Sequence, residues 1–355
     1  MKLLIVIPSF KLMGGISFHY LGLKRYWKCN VHYAVAGRRP HLHSSLTLLP
    51  DFFAYVLKLL LLRPDVVVVN PSFYPYPIVR DTIHMLTAKL FGCKTVCMFH
   101  GWNLEYSTRQ EAKPNWFVRQ FNKMSFVYVL SSDFRRRLRL MGIKAPIELA
   151  TTEVDDALLH GFDIDQREGR TVKNILFLAR LDRAKGIYET IDAFVLIRKK
   201  HPDISLNICG CSWNQSFDDE VRAYVADNKY EGITFHGRVI GKDKMQAFAD
   251  NDIYILPSYH EGMPTSLLEA MAFGLPVVTR MVGGVPDFFE QGKMGYMTES
   301  LEPRDLAHCL ESLIGDTESA RRMGRYNYLY ARQHFMASAV AAKFEADIQR
   351  HTGKA

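Results

Sequence analysis

The stretch from Pro257 to Asp287, PSYHEGMPTSLLEAMAFGLPVVTRMVGGVPD, constrains the fold of this chain more than any other. It follows Ile253 to Leu256, an apolar run short enough for a buried strand, and breaks at once into polar, Gly and Pro residues. Pro264 suits the first position of a helix and Gly274 with Pro276 suits its end, so the spacing predicts a helix over Pro264 to Phe273. A strand feeding a loop that feeds a helix is the unit of a sheet wound with helices.

A helix start carries backbone N–H groups without intrahelical partners, here those of Thr265, Ser266 and Leu267, and the positive end of the helix dipole. Together they form a site for an anion, most naturally a phosphate. Glu261 and Glu269 bracket that start with seven residues between them. A carboxylate beside phosphate would repel it, so these two are suited to hydroxyls, which a sugar and a ribose both offer. The bland alternative makes Glu261 a cap and Glu269 a solvated helix residue. The run of residues that fit a phosphate-binding strand, loop and helix argues against it.

EGMPTSLLEAMAFGLPVV followed by GGVPD resembles the Glu-x7-Glu signature of retaining glycosyltransferases of family 4, the glycosyl transferases group 1, which have the two-domain α/β fold called GT-B. The resemblance implies Glu261 beside the donor sugar and Glu269 on the ribose. The segment between them, Gly262, Met263, Pro264, Thr265, Ser266 and Leu267, would lie on the diphosphate. A second resemblance is FLARLDRAKG, which places Arg180 and Lys185 on a loop leaving a strand end, where two cations can neutralise the leaving diphosphate. Similar proteins hold the nucleotide base with the loop carried here by Arg238 and Val239. The family usually has glutamate after the Pro of GGVP, whereas Asp287 stands here, which puts a direct donor role for that acid in doubt.

The first half of the chain matches in outline. Leu3 to Ile7, the turn around Gly14 and Gly15, and the segment to Lys28 read as strand, glycine loop and helix. In the family such a loop approaches the donor diphosphate; a plain tight turn explains the two glycines equally well. Further strands are expected at Val31 to Ala36, Val66 to Val69, Thr95 to Phe99 and Phe126 to Leu130, with helices at Phe52 to Leu62, Ile78 to Phe91 and Phe134 to Met141. His100 stands at a strand end before Gly101, where similar enzymes carry a histidine near the donor sugar or acceptor; a structural histidine is the even alternative. Glu105 and Tyr106 are expected in the same loop. Arg135, Arg136, Arg137 and Arg139 follow Ser131-Ser132-Asp133, a cap-like run, and so lie early on a helix from near Phe134; the resemblance implies acceptor or membrane-surface contact for them, and solvated charges are the alternative.

A chain of 355 residues exceeds what one core organises, so two domains are expected. The boundaries read as 1–165 for an acceptor-side Rossmann-like domain and 166–335 for a nucleotide-sugar domain, with a linker around 161–172. The resemblance to GT-B proteins implies that a last helix over about 336–355 crosses back to the first domain. Residues 1–150 hold 21 Lys and Arg against 7 Asp and Glu, while the remainder hold 24 against 30. The basic half could meet an anionic membrane surface or an acidic acceptor. No zinc-finger, RNP or basic-zipper pattern accompanies it, so nucleic acid is not expected as a partner. The six cysteines lack paired metal-ligand spacing and read as reduced core residues, and no metal is expected. With no apolar run near the length of a membrane span, the expected location is the cytoplasm, with peripheral contact at the inner face of the membrane.

The resulting expectation is a hexosyltransferase, retaining and metal-independent, that uses a UDP- or GDP-sugar as co-substrate and no other cofactor. Its acceptor would be a saccharide or lipid-linked hydroxyl, in cell-surface polysaccharide or glycolipid synthesis. Glu261, His100, Arg180 and Lys185 form the expected catalytic set. The competing readings are a GT-B sugar-nucleotide epimerase or sugar phosphorylase, and a non-catalytic nucleotide-sugar or nucleic-acid binding protein.

Overall fold

The shortest apolar runs become the most deeply buried strands. Val66–Val69 and Ile253–Leu256 have every residue buried, as expected of parallel strands covered on both faces. The computed structural model describes residues 1–11, 14–37, 44–112 and 116–354. They divide into two units, Met1–Glu153 with the segment from Ala337 onward, and Val154–Met336.

The first unit runs β1 (Lys2–Ile7), α1 (Gly15–Leu23), β2 (Asn30–Val35), α2 (Ser44–Leu62), β3 (Val66–Val69), β4 (Ser72–Phe73) and α3 (Pro75–Leu90). It continues through β5 (Lys94–Met98), β6 (Gly101–Trp102), α4 (Leu104–Ala112), α5 (Trp116–Phe121), β7 (Phe126–Val129), α6 (Ser132–Leu140) and β8 (Ile147–Leu149). Six strands form a parallel sheet in the order β2-β1-β3-β5-β7-β8, and β4 pairs with β6 apart from it. The order reverses between β1 and β3, so the ends of those strands are the switch point where ligands are usually held.

The second unit runs β9 (Asn174–Leu178), α7 (Ile187–Arg198), β10 (Ser205–Cys209), α8 (Gln215–Asp227), β11 (Ile233–Gly237), α9 (Gly241–Asp250) and β12 (Ile253–Leu256). Then come α10 (Thr265–Ala272), β13 (Val277–Arg280), β14 (Gly295–Thr298), α11 (Pro303–Gly315) and α12 (Thr317–His334). The strand order β11-β10-β9-β12-β13-β14, all parallel, is that of a dinucleotide-binding sheet with its switch point between β9 and β12. The last helix, α13 (Ala337–Thr352), belongs to the first unit, where Glu345 accepts the amides of Lys28 and Cys29, and Tyr128 donates to Asp347.

Four expectations need correction. Helix α2 starts at Ser44 rather than Phe52, because Thr47, Asp51, Tyr55 and Leu59 recur every four residues as a buried stripe that carries it past Pro50. Glu105 and Tyr106 lie on α4 and not in a loop. The expected linker 161–172 includes a short helical turn, Ile164–Arg167, and packs within the second unit: Arg167 donates to the carbonyls of Phe248 and Asn251. Pro264 is the residue before α10 and not its first, with φ −74° and ψ 105°.

Candidate active site

At the switch point of the second unit, the loops after β9 and β12 meet. Tyr259 donates its amide to the carbonyl of Ala184 at 2.8 Å. Gly186 has φ +73°, and a Cβ there would fall 2.5 Å from the carbonyl oxygen of Pro257, so only glycine allows the approach. The contact brings Lys185 to Glu261: Nζ lies 2.6 Å from Oε1. The hydroxyl of Ser258, which is fully buried, donates to the same Oε1 at 2.7 Å. Glu261 is therefore held from two sides, and its side chain is 10% exposed. An ammonium has three donors, so Lys185 can serve Glu261 and still reach an anionic oxygen.

Arg180 is placed by different contacts. Its guanidinium pairs with Asp182 at 2.8 Å and lies 4.0 Å from the centre of the Trp213 ring, which is itself exposed. Asp182 also accepts the amide of Ala184, capping the turn Arg183–Lys185 that sets the position of Lys185.

The start of α10 differs from expectation in one donor. Because Pro264 precedes the helix, its carbonyl accepts the amides of Leu267 at 3.0 Å and Leu268 at 3.4 Å. The amide of Leu267 is thus committed to the first turn, which leaves those of Thr265 and Ser266 as the helix-start donors. No side chain caps this end. Tyr254 ties it to the sheet, since its hydroxyl donates to the carbonyl of Leu178 at 3.1 Å and meets Ser266 Oγ at 2.6 Å. With the tyrosine proton spent on a carbonyl, Ser266 donates its own, so what Ser266 can offer an anion is its amide. Met263 is buried under the loop, and Gly262 accepts the amide of Gly284 at 2.7 Å. Gly283 has φ +59°, and a Cβ there would lie 2.3 Å from the carbonyl oxygen of Gly262. The GGVP loop thus rests on the backbone of the Glu261 loop.

Glu269 is buried on α10 and pairs with Lys244 of α9, Nζ to Oε1, at 2.6 Å. The sequence reading missed Lys244, Ser258, Tyr254, Asp182 and Trp213. Lys244 carried a faint signal, since it follows the Arg238-Val239 loop in GRVIGKDK. That loop leaves β11, where Arg238 is exposed, Val239 half-buried and Ile240 62% exposed.

The first unit places a separate polar cluster at its own switch point. Asn70 directly follows β3, and its amide donates to the carbonyl of Val6 at 3.0 Å, which fixes which way the side chain faces. Its Oδ1 accepts the hydroxyl of Tyr20 at 2.7 Å and lies 3.1 Å from His100 Nε2. An amide oxygen only accepts, so Nε2 of His100 carries the proton and Nδ1 is left as the lone-pair nitrogen. Burial, and then the neighbouring His19, push the pKa of His100 well below its ordinary value of 6.5, so the ring is neutral. His19 lies 5.0 Å from it, ring to ring, and pairs through Nδ1 with Glu153. Gly14 precedes α1 with extended backbone, Gly15 opens it, and a Cβ on either would meet nothing within 4 Å. Met13, the other end of that expected turn, lies outside the described residues. Of the four arginines on α6, Arg136 pairs with Asp133, Arg137 with Asp133 and Glu111, and Arg139 donates to the carbonyls of Ile143 and Ala145, so these three have local structural roles.

Residues 163–330 match the model of one family, glycosyl transferases group 1. Over that segment the chain is similar to the glycosyl transferases of group 1. Spore coat protein SA of Bacillus subtilis (strain 168) is 31% identical over 177 residues, 48% of this chain and 46% of that protein. D-inositol 3-phosphate glycosyltransferase of Paenarthrobacter aurescens (strain TC1) is 30% identical over 176 residues, 49% of this chain and 43% of that protein. The match spans under half the length of these two curated relatives. Anabaena HepE, solved with UDP and with UDP-glucose, superposes with TM-scores of 0.76 and 0.75 at 19% identity, covering 99% of this chain and 100% of that one. The fold is GT-B, with two Rossmann-like units of parallel sheet. The matched group 1 segment contains every second-unit residue described above, from Arg180 to Gly284.

Proposed function

We propose that this protein is a retaining, metal-independent hexosyltransferase, moving a hexose from a UDP- or GDP-sugar to a hydroxyl of a saccharide or lipid-linked acceptor in cell-surface polysaccharide or glycolipid synthesis. The observation that carries the proposal is the Lys185–Glu261 pair, held by Ser258 at the meeting of the β9 and β12 loops. It joins a cation suited to a leaving diphosphate to a carboxylate suited to a sugar hydroxyl, beside the open start of α10. HepE, of the same fold, was solved with UDP-glucose, which supports a nucleotide-sugar donor.

In the proposed reaction the bond between the anomeric carbon and the diphosphate oxygen breaks, and a bond from that carbon to the acceptor oxygen forms on the same face. The acceptor proton passes to the departing phosphate oxygen, so nucleoside diphosphate leaves as the balancing product. Lys185, Arg180 and the amides of Thr265 and Ser266 stabilise the charge growing on the diphosphate. Glu261 positions the sugar and faces its developing positive charge, and Glu269 holds the ribose, its carboxylate set by Lys244. The backbone around Val239, with Arg238 beside it, holds the base. His100, neutral and with Nδ1 as acceptor, receives a hydroxyl of the donor sugar or the acceptor, and Gly14 and Gly15 leave room at the start of α1 for the donor diphosphate. The first unit is the acceptor side. The enzyme works in the cytoplasm and needs no cofactor beyond its co-substrate.

The test is a thermal-shift panel of UDP-, GDP- and ADP-sugars, followed by release of nucleoside diphosphate with candidate acceptors. The proposal expects stabilisation by one donor class and acceptor-dependent release that is lost in Lys185→Ala. Epimer formation without acceptor would instead identify an epimerase, and consumption of inorganic phosphate a phosphorylase. Donor binding without turnover across the acceptor panel would favour a binding protein.

A further inference from the structure

Helices α2 and α3 leave an apolar face uncovered. On α2, Leu46, Leu49, Phe53, Leu57 and Leu60 follow one another every three or four residues and are 71%, 66%, 70%, 54% and 54% exposed. Opposite them, Thr47, Asp51, Tyr55 and Leu59 face the core, so the helix has one side covered and an apolar side left uncovered. On α3, Tyr76, Val79, Ile83 and Leu90 make a second exposed stripe. The two helices pack together, with Tyr55 donating to the carbonyl of His84, so the stripes belong to one surface.

Charge identifies what covers it. The carboxylates on these helices, Asp51 and Asp81, are both buried, so the uncovered face presents no negative group. Cations rim the end where both helices stop. Arg63 follows Leu62, Lys89 stands in the last turn of α3, and Lys94 opens β5 opposite Val66. Ser125 donates its amide to the carbonyl of Thr95, which brings the exposed Lys123 to the same end as Lys89, Lys94, Leu90 and Phe91. An apolar stripe with a basic rim is complementary to an anionic lipid surface, with apolar side chains below the headgroups and ammonium groups among the phosphates. Among the described residues the one carboxylate at this rim, Asp65, is half-buried and accepts the amide of Lys2, and the apolar stripes themselves carry none that a second copy could bring to these lysines. Among the described residues no helix is long and apolar enough to cross a membrane, and α2 has its other side in the core, so it can lie in the interface and not span it.

We propose that the α2–α3 face, from Leu46 to Leu61 and from Tyr76 to Phe91, inserts into the surface of an anionic bilayer. The proposal holds whether or not the transfer reaction does, because the assay reads the surface alone. The full chain is floated with phosphatidylcholine vesicles with and without phosphatidylglycerol, at low and high salt. The expected result is association that strengthens with phosphatidylglycerol and weakens with salt. Phe53→Ser with Leu57→Ser should lower the bound fraction at least about tenfold, and Lys89→Gln with Lys94→Gln should remove only the dependence on phosphatidylglycerol. In Phe53→Trp, the added emission should be quenched by brominated acyl chains, a readout that does not depend on a loss. Wild-type protein that ignores both vesicle types, serine variants that bind as well as the parent, or a dimer in solution that these serines dissociate would each overturn the proposal.

Discussion

Lys185 Nζ and Glu261 Oε1 are 2.6 Å apart, although the two residues are 76 positions apart in the chain. Removing one partner of a largely buried pair leaves the other without compensation, at a cost of about 1–3 kcal/mol when some solvent still reaches the lysine. Lys185→Met should therefore lower stability by that amount and lower transfer by about 10²–10⁴-fold. Lys185→Met with Glu261→Gln should regain stability in denaturant unfolding but no activity. Transfer within about twofold of the parent in Lys185→Met would remove Lys185 from the proposed chemistry.

The Lys244–Glu269 pair makes a different prediction, because Glu269 is proposed to bind and not to react. Lys244→Met should raise the Kd for a nucleoside diphosphate about tenfold or more, with the donor KM rising and kcat within about threefold of the parent. Titration calorimetry with UDP and GDP reads the first effect directly. An unchanged Kd would leave Lys244 a purely structural residue.

Gly283→Ala tests the contact between the GGVP loop and the Glu261 loop. A Cβ 2.3 Å from a backbone oxygen, at φ +59°, forces one loop to move, and the cost is about 1–3 kcal/mol. Thermal unfolding should show the loss, with donor affinity falling in parallel. Gly292→Ala is the matched control: it also has positive φ, at 76°, but nothing lies within 4 Å of a Cβ there. Its stability loss should be the smaller of the two.

The histidines of the first unit set a pH dependence. Burial holds His100 well below 6.5 and lowers His84 as well, so in the folded chain both resist a proton that the unfolded chain accepts. A folded pKa below the unfolded one means that neutral His stabilises fully above about pH 6.5 and less as pH falls below it. Melting temperature should drop between pH 7.5 and 5.5, and His84→Gln with His100→Gln should flatten that drop. In Asn70→Ala the Nε2 tautomer is no longer enforced, so nitrogen chemical shifts of His100 should report a changed tautomer ratio. A flat melting profile in the parent would count against burial as the cause.

Metal removal is the simplest check of the proposed chemistry. Arg180, Lys185 and the α10 amides are assigned the role a divalent ion has in other transferases, so EDTA should leave the initial rate within about twofold. A loss restored by magnesium or manganese would assign the diphosphate to a metal.

Much of the layout was legible because it rests on local chemistry. Wholly apolar runs such as Val66–Val69 and Ile253–Leu256 have no stable place except a doubly covered strand, and both strands have those bounds. The N-cap of α6 was legible for the same reason, since Ser131 accepts the amide of Phe134 three residues on. The residues around the candidate site were less so. Lys244, Ser258 and Tyr254 are ordinary in sequence and matter only through what lies across from them. The helix start of α10 was misjudged by one residue because Pro264 has no N–H to place and its carbonyl alone decides where the ladder begins.

The sequence by itself determined the period of the elements and the order of strand, loop and helix, since these follow from side-chain shape, caps and turns within a few residues. Only the tertiary structure decided that Ser258 and Lys185 share one oxygen of Glu261, that Asn70 selects the tautomer of His100, and that the leucines of α2 are left uncovered. Each of those depends on which distant backbone comes within a few ångströms. Sheet order and glycine contacts determine that approach, and local propensity does not.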